Sequence, residues 1–395
     1  MLKTNIRNFC ADTPSCTDKC KKIYITSLHL KHGGVEMVIS SLANALVEKG
    51  YDVEILCIYR LGEPAYFFDK RVKITYLTDV HPNRDEFKAA IRSKNPLNII
   101  KEAFYAVNVL RLKQKVIKNA VKEIENGIVI STRHEHSVLL SKYGNKGVLK
   151  IAQLHSDHNF DKKLLDEIKH KYENIDYFTL LTEQTTNEIK NVMHGYNNKT
   201  KCITIPNFLP EIPELVEVER NKQVVSVGRL SPEKGFSRLL DVWALFSKEH
   251  PDWTLKIIGD GEERAALEEK AKKLGIYDSV IFTGLLPHET VLSEMMSSQI
   301  YAMPSYTESF SLVILEAATC GLPSVAFDVR VGPASLINDG ETGILVEDDN
   351  LIKFSNSLSV LANDFSSCRK MGENARKNSY NYSKEKVMEL WDSIL

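Results

Sequence analysis

Lys22–Gly50, KIYITSLHLKHGGVEMVISSLANALVEKG, is the stretch that decides the fold. Lys22–Ser27 reads as a buried strand, and the loop Leu28–Gly34 then carries the pair Gly33–Gly34. From Val35 to Lys49 apolar residues recur at helical spacing, until Gly50 stops the helix. Further short apolar runs follow at Val53–Tyr59, Val72–Leu77, Ile128–Ser131, Leu149–Leu154 and Phe178–Thr182, with loops or helical patterns between them. Strands alternating with helices predict an α/β fold whose parallel sheet is covered on both faces.

The segment Lys201–Glu219 breaks this rhythm, with Pro206, Pro210 and Pro213 near four glutamates. The alternation then restarts. Strands are expected at Val224–Val227, Leu255–Ile258, Val280–Thr283, Ile300–Pro304 and Ser324–Phe327, and helices at Ser237–Lys248, Glu262–Leu274, His288–Ser297 and Leu312–Cys320. Two doubly wound units in series are the simplest arrangement for 395 residues. They divide as a polar leader 1–21, a first unit 22–206 and a second unit 207–379. In open parallel sheets ligands bind at the carboxyl ends of the strands, so chemistry is expected in the cleft between the units.

Apolar residues make up 43% of the chain and charged residues 26%, which excludes a disordered chain and an integral membrane protein. The first 22 residues lack the apolar run of a secretory signal, and a cytoplasmic location is expected. Seven cysteines, an odd number in a long chain, are expected to be free thiols, and the spacing of Cys10, Cys16 and Cys20 matches no common zinc site. Residues 1–210 hold 32 Lys and Arg against 23 Asp and Glu, whereas residues 211–395 hold 19 against 29. A basic first half suits an anionic partner. The helical pattern Asn98–Ile124 sets Arg111, Lys115, Lys118 and Lys122 on one face and Val109, Leu112, Val116, Ala120 and Ile124 on another. Such a helix is either an ordinary surface helix or a contact with an anionic membrane surface.

Chemistry is concentrated in three stretches. In Ser305–Gly321, SYTESFSLVILEAATCG, Glu308 precedes a helix start and Glu316 lies a little over two turns later, buried on that helix. The amides of Phe310, Ser311 and Leu312 would be free to bind phosphate, leaving the glutamates for sugar hydroxyls. In Val225–Phe236, VSVGRLSPEKGF, a strand runs into a turn bearing Arg229 and Lys234, a pairing suited to a diphosphate leaving group. In the third, Gly33–Gly34 lets the backbone come close to a ligand. The Gly259–Gly261 pair lacks the third glycine of a dinucleotide fingerprint and no P-loop occurs, so nicotinamide and P-loop chemistry are disfavoured. His134, His136, His155 and His158 follow strand ends, and one of them should line the cleft. None has metalloprotease spacing, and no metal site is expected.

Taken in order, VSVGRLSPEKGF, LKIIGDGEE, VIFTGLL, YAMPSYTESFSLVILEAATCGLPSVAFDV and NDGETGILVEDDN resemble the family-4 retaining glycosyltransferases, which have the GT-B fold of two Rossmann-like domains facing a central cleft. The resemblance spans about Lys22 to Leu395. It implies transfer of a hexose or N-acetylhexosamine from a nucleotide-sugar to a glycan acceptor, with retention and without a metal or other cofactor. It gives Arg229 and Lys234 to the donor diphosphate, Glu316 to the ribose, Glu308 and His155 to the transferred sugar, and Gly33, Gly34 and Ser309–Leu312 (Ser309, Phe310, Ser311, Leu312) to the phosphates or sugar. Glu308, Arg229, Lys234 and His155 are the catalytic set. Ser311 stands where relatives often have Gly. The tail 380–395 resembles the final GT-B helix that crosses back onto the first domain. VRVGPASLI is similar to bacterial transferases that build surface glycans from UDP-sugars. A lipid-linked acceptor would explain the basic first half, with the enzyme on the inner face of the membrane; no nucleic-acid partner is expected. An epimerase of the same fold and a non-catalytic nucleotide-sugar-binding subunit are the competing readings.

Overall fold

A computed structural model describes residues 22–215 and 219–395. The leader with Cys10, Cys16 and Cys20 lies outside the described residues, while Cys57, Cys202, Cys320 and Cys368 are unpaired. Seven parallel strands form the first sheet: β1 (Lys22–Ser27), β2 (Asp52–Tyr59), β3 (Lys73–Thr78), β4 (Gly127–Ser131), β5 (Val148–Gln153), β6 (Tyr177–Leu180) and β7 (Lys201–Thr204). Their order is β3-β2-β1-β4-β5-β6-β7. The second sheet holds β8 (Gln223–Val227), β9 (Thr254–Ile258), β10 (Val280–Gly284), β11 (Ile300–Met303), β12 (Ser324–Asp328) and β13 (Gly343–Glu347), in the order β10-β9-β8-β11-β12-β13. Every pairing within the two sheets is parallel.

Both sheets reverse direction of growth beside their first strand, between β1 and β4 and between β8 and β11. Connections leaving to opposite sides open a crevice there, beyond the carboxyl ends of the strands. Each unit has its own core. In the first, Ile23 and Ile25 of β1 and Ile55 and Cys57 of β2 meet Ile39, Leu42 and Leu46 of the helix α1 (Gly34–Glu48). In the second, Val224, Leu255 and Ile257 meet Leu239, Leu240 and Trp243.

Three elements depart from the sequence expectation. Lys201–Thr204, read above only as part of the stretch where the rhythm breaks, is the edge strand β7, in register with Tyr177–Leu180. Four residues, one of them lysine, are too few to show an alternating pattern. Gly343–Glu347 forms β13, and the helices Leu351–Asn363 and Phe365–Ser379 follow it. The long helical pattern is the single helix α3 (Pro96–Glu123), while α2 (Arg84–Ser93), not expected from the sequence, forms a hairpin with it, and the Asn95 side chain caps α3 at the amide of Leu97. Val109, Ile117 and Val121 are the buried residues of α3, and Val116, Ala120 and Ile124 of the expected apolar face pack against the core beside them. Lys118 and Lys122 lie over the ring of Tyr143 rather than on a free basic face.

Beyond the turn Tyr380–Tyr382, the last helix, Lys384–Asp392, packs on the first unit: Val387, Met388, Trp391 and Ile394 belong to the first core. Lys384–Glu48 at 2.8 Å and Lys49–Asp392 at 2.6 Å flank this seat. Among the described residues no helix is long and apolar enough to cross a membrane.

Candidate active site

The switch points of the two sheets collect the residues singled out above. In the second unit the loop after β8 carries Arg229 and Lys234, and the loop after β11 carries Glu308 to Ser311. Lys234 Nζ donates to Glu308 Oε1 at 2.6 Å, and Ser305 Oγ donates to the same oxygen at 2.8 Å. These two loops approach so closely that only glycine fits between them. Gly235 has φ 67°, and a Cβ there would sit 2.0 Å from the carbonyl oxygen of Pro304. Buried Arg238 continues the brace, donating to the Pro304 carbonyl at 2.6 Å and lying over the rings of Tyr306 and Phe327. Behind Glu308 the backbone of Gly332 (φ 93°) comes so close that a Cβ would lie 2.8 Å from Glu308 Cβ.

Arg229 stands apart from this pair. It turns away to Glu233 at 2.6 Å and is 72% exposed, so the structure does not bring both cations to one point. Burial alone would raise the Glu233 carboxyl, but the Ser231 hydroxyl, a backbone amide and Arg229 hold it at about 2. Glu316 is buried on the helix Leu312–Thr319, where its Oε1 pairs with His288 Nε2 at 3.0 Å. That hydrogen bond raises the His288 pKa. The first acceptor of the helix is the carbonyl of Ser311, reached by the amides of Ile314 and Leu315, so the amides of Ser311 to Val313 precede the helical ladder. Ser311 itself takes the left-handed conformation at φ 67°, which a glycine would adopt with less strain. Phe310 is buried with its ring edge-on against Tyr382.

The first unit supplies the opposite wall. Ser309 Oγ donates to the carbonyl of His155, at the end of β5, at 2.7 Å, which sets the two loops edge to edge. Both ring nitrogens of His155 are shielded from solvent and have no hydrogen-bond partner. An orphaned buried imidazole is costly unless a water or a ligand group satisfies it. Burial, with Arg133 nearby, lowers its pKa to about 4, so the ring is neutral near pH 7. The Gly33 amide faces the Tyr66 hydroxyl at 3.4 Å, and Glu36, buried on α1, pairs with Arg133 at 3.4 Å and His29 at 3.5 Å. A Cβ on Gly33 would strike the Glu36 carboxylate.

The other histidines have structural partners. His134 bridges the Tyr172 hydroxyl at 3.0 Å and Glu167 at 2.7 Å; His136 is buried against Thr26; His158 pairs with Glu188 at 2.8 Å. Arg330, from the loop after β12, crosses the cleft to Asp157 and to Glu188 at 2.6 Å. Among the described residues no group of three or more His, Cys, Asp or Glu could hold a metal ion. Sequence reasoning missed Glu36, Arg133, Tyr66, Arg238, His288 and Arg330. The only sequence signal for Glu36 is its place two residues after Gly34, and Arg330 lies in a stretch read only for its resemblance.

His136 and His155 also predict the acid behaviour of the fold. Burial holds their folded-state pKa values at about 3 and about 4, well below an unfolded value of about 6.5. The unfolded chain therefore binds more protons, and stability present above about pH 6.5 is lost as the pH falls toward those lower values. A urea midpoint that stays constant between about pH 7 and pH 5 would contradict this.

Two Rossmann-like sheets with their carboxyl ends facing one cleft, and with cationic and carboxylate loops at both switch points, define the GT-B class of glycosyltransferases. The model of the family "Glycosyl transferases group 1" matches residues 209–378. Over 369 residues the chain is 32% identical to an uncharacterized glycosyltransferase of Haemophilus influenzae, covering 92% of this chain and 96% of that one. It is 25% identical to the amylovoran biosynthesis glycosyltransferase AmsD of Erwinia amylovora, with the same coverages. The fold matches the crystal structure of a mutant of Staphylococcus aureus TarM, in complex with fondaparinux, α-GlcNAc-glycerol and UDP, at a TM-score of 0.76. That match has 16% identity and covers 95% of this chain and 99% of that chain. The chain belongs to the group 1 glycosyl transferases and is a glycosyltransferase.

Proposed function

We propose that this enzyme transfers a hexose or N-acetylhexosamine from a UDP-sugar to a lipid-linked glycan acceptor during surface-polysaccharide synthesis, with retention and without a metal. The observation that carries this reading is the convergence of Lys234, Glu308 and the start of the helix Leu312–Thr319 at one switch point, with the His155 carbonyl of the first unit held against Ser309. AmsD, named for amylovoran biosynthesis, and TarM, crystallised with UDP, support the pathway class and the nucleotide.

In this reading the diphosphate sits at the start of that helix, where unpaired amides and the helix dipole favour negative charge. Lys234 exchanges its Glu308 partner for the phosphate and neutralises it as the anomeric carbon–oxygen bond breaks. Arg229, exposed and free to swing, joins from its resting place on Glu233. Glu308, released from Lys234, and the neutral His155 ring receive hydroxyls of the sugar, while Glu316 takes the ribose hydroxyls. The acceptor oxygen bonds to the anomeric carbon on the face the phosphate leaves, and its proton passes to the departing phosphate oxygen. Gly33 and Gly34 close the phosphate side with backbone alone. The enzyme works at the inner face of the membrane.

Thermal unfolding with UDP, GDP, ADP, NAD and a panel of UDP-sugars tests the donor, because a ligand bound only by the folded state raises stability by mass action. A shift with UDP and one UDP-sugar is expected. Stabilisation by NAD alone, or by no nucleotide, would sink the reading. The anomeric configuration of the product by NMR tests retention, and an unchanged rate in EDTA tests metal independence.

A further inference from the structure

The α2–α3 hairpin carries an apolar surface that neither core uses. With 28 residues, α3 is about 42 Å long, about twice the span of six-residue β3. Its C-terminal half packs on the sheet through Val109, Ile117 and Val121. Nothing on α3 before Val109 is buried. Because α3 leads into the start of β4, its free N-terminal half lies toward the carboxyl ends of the strands, the side on which the cleft opens.

That free half exposes Leu97 (77%), Ile100 (66%), Phe104 (68%) and Val107 (44%). At 100° per residue these four fall within an arc of about 80°. Ile91 of α2 and Leu110 of α3 are exposed nearby in sequence. A connected stripe of this size on a protein surface marks an interaction site rather than scattered exposure. Along the same arc the next residues are Arg111 and Lys115, and Lys101 borders it. Between Arg84 and Lys115 the hairpin has eight Lys and Arg against three Asp and Glu. Among the described residues, no ion pair engages Lys94, Lys101, Arg111 or Lys115.

We propose that the N-terminal half of α3 docks the enzyme on an anionic lipid bilayer, inserting Leu97, Ile100, Phe104 and Val107 at the acyl boundary while Lys101, Arg111 and Lys115 meet the lipid phosphates. The order apolar tip, then basic flank, along one helical face is the pattern of an interfacial helix. Charge selects the bilayer over a second copy of the chain. A two-fold contact through this stripe would crowd together two hairpins that each carry more Lys and Arg than Asp and Glu, whereas anionic lipids attract each cation near the surface. The proposal deepens the lipid-linked acceptor reading and rests on it for its purpose: docking here sets the mouth of the cleft against the leaflet that holds the acceptor.

The test uses the full chain, sedimented with vesicles of phosphatidylglycerol and phosphatidylcholine or of phosphatidylcholine alone. Binding is expected only with phosphatidylglycerol and should weaken with salt. The L97S/F104S double variant should lose about tenfold or more in vesicle affinity, with its melting temperature unchanged because both side chains are solvated. Its activity on a soluble acceptor analogue should equal wild type, and only transfer to acceptor embedded in vesicles should fall. Undiminished vesicle binding by the variant overturns the proposal, as does a wild-type protein that ignores phosphatidylglycerol. A wild-type dimer that L97S/F104S dissociates would assign the stripe to a second copy instead. Failure of all acceptors would refute the acceptor reading alone, since vesicle binding is measured without turnover.

Discussion

Replacing Lys234 by Met is expected to lower kcat/KM by about 10²–10³-fold, the usual cost of removing one group placed where transition-state charge develops. The structure already holds Lys234 at the point of convergence, 2.6 Å from Glu308. The fold should survive. The Lys234 side chain is 28% exposed, and without its ammonium Ser305 still donates to Glu308. Arg229→Ala should cost less, because Arg229 rests 72% exposed on Glu233 and enters only when a diphosphate draws it in. Initial rates with saturating acceptor, set beside melting curves, separate these effects. A Lys234→Met enzyme within about threefold of wild type would remove Lys234 from the reaction and with it the proposed leaving-group stabilisation.

Trp391→Ala is expected to cost about 3–5 kcal/mol of the stability of the first unit, as for other large aromatic side chains cut from a core. Trp391 is 2% exposed and packs with Val387 and Met388 on a core built from residues more than 150 positions earlier in the chain. A ceiling applies: if the helix Lys384–Asp392 detaches first, the loss is limited to the free energy of that detachment. The two cases separate by measurement. Global loss lowers the urea midpoint, whereas detachment removes amide-exchange protection from residues 384–392 alone. A variant with both the midpoint and the protection of wild type would show that the helix does not hold the first unit.

Much of the fold was legible because parallel strands buried on both faces are short apolar runs and their covering helices are amphipathic, so the two periods alternate along the chain. Lys201–Thr204 was not legible, since an edge strand of four residues with an exposed lysine carries no such run. The reach of α3 beyond the sheet was not legible for a related reason. A helical pattern gives an apolar arc but not how much of the helix the sheet reaches, and only half of α3 has a sheet beneath it.

By itself the sequence determined the α/β class, the repeat of one doubly wound unit, and the residue types at the strand ends: Gly33–Gly34, Arg229, Lys234, Glu308, Glu316 and His155. These follow from local rules, because a strand, a turn and a helix start are each set by neighbours within a few residues. Tertiary structure alone decided which of them meet. Lys234 reaches Glu308 across 74 residues, Ser309 reaches the His155 carbonyl across 154, and Arg330 crosses from one unit to Asp157 and Glu188 of the other. Such contacts depend on how two sheets pack, through a glycine that lets Pro304 close on Gly235 and a buried Arg238 that braces the loop. No local pattern encodes that approach. The same holds for Leu97, Ile100 and Phe104, apolar residues that any periodicity would bury and that the packing leaves in water.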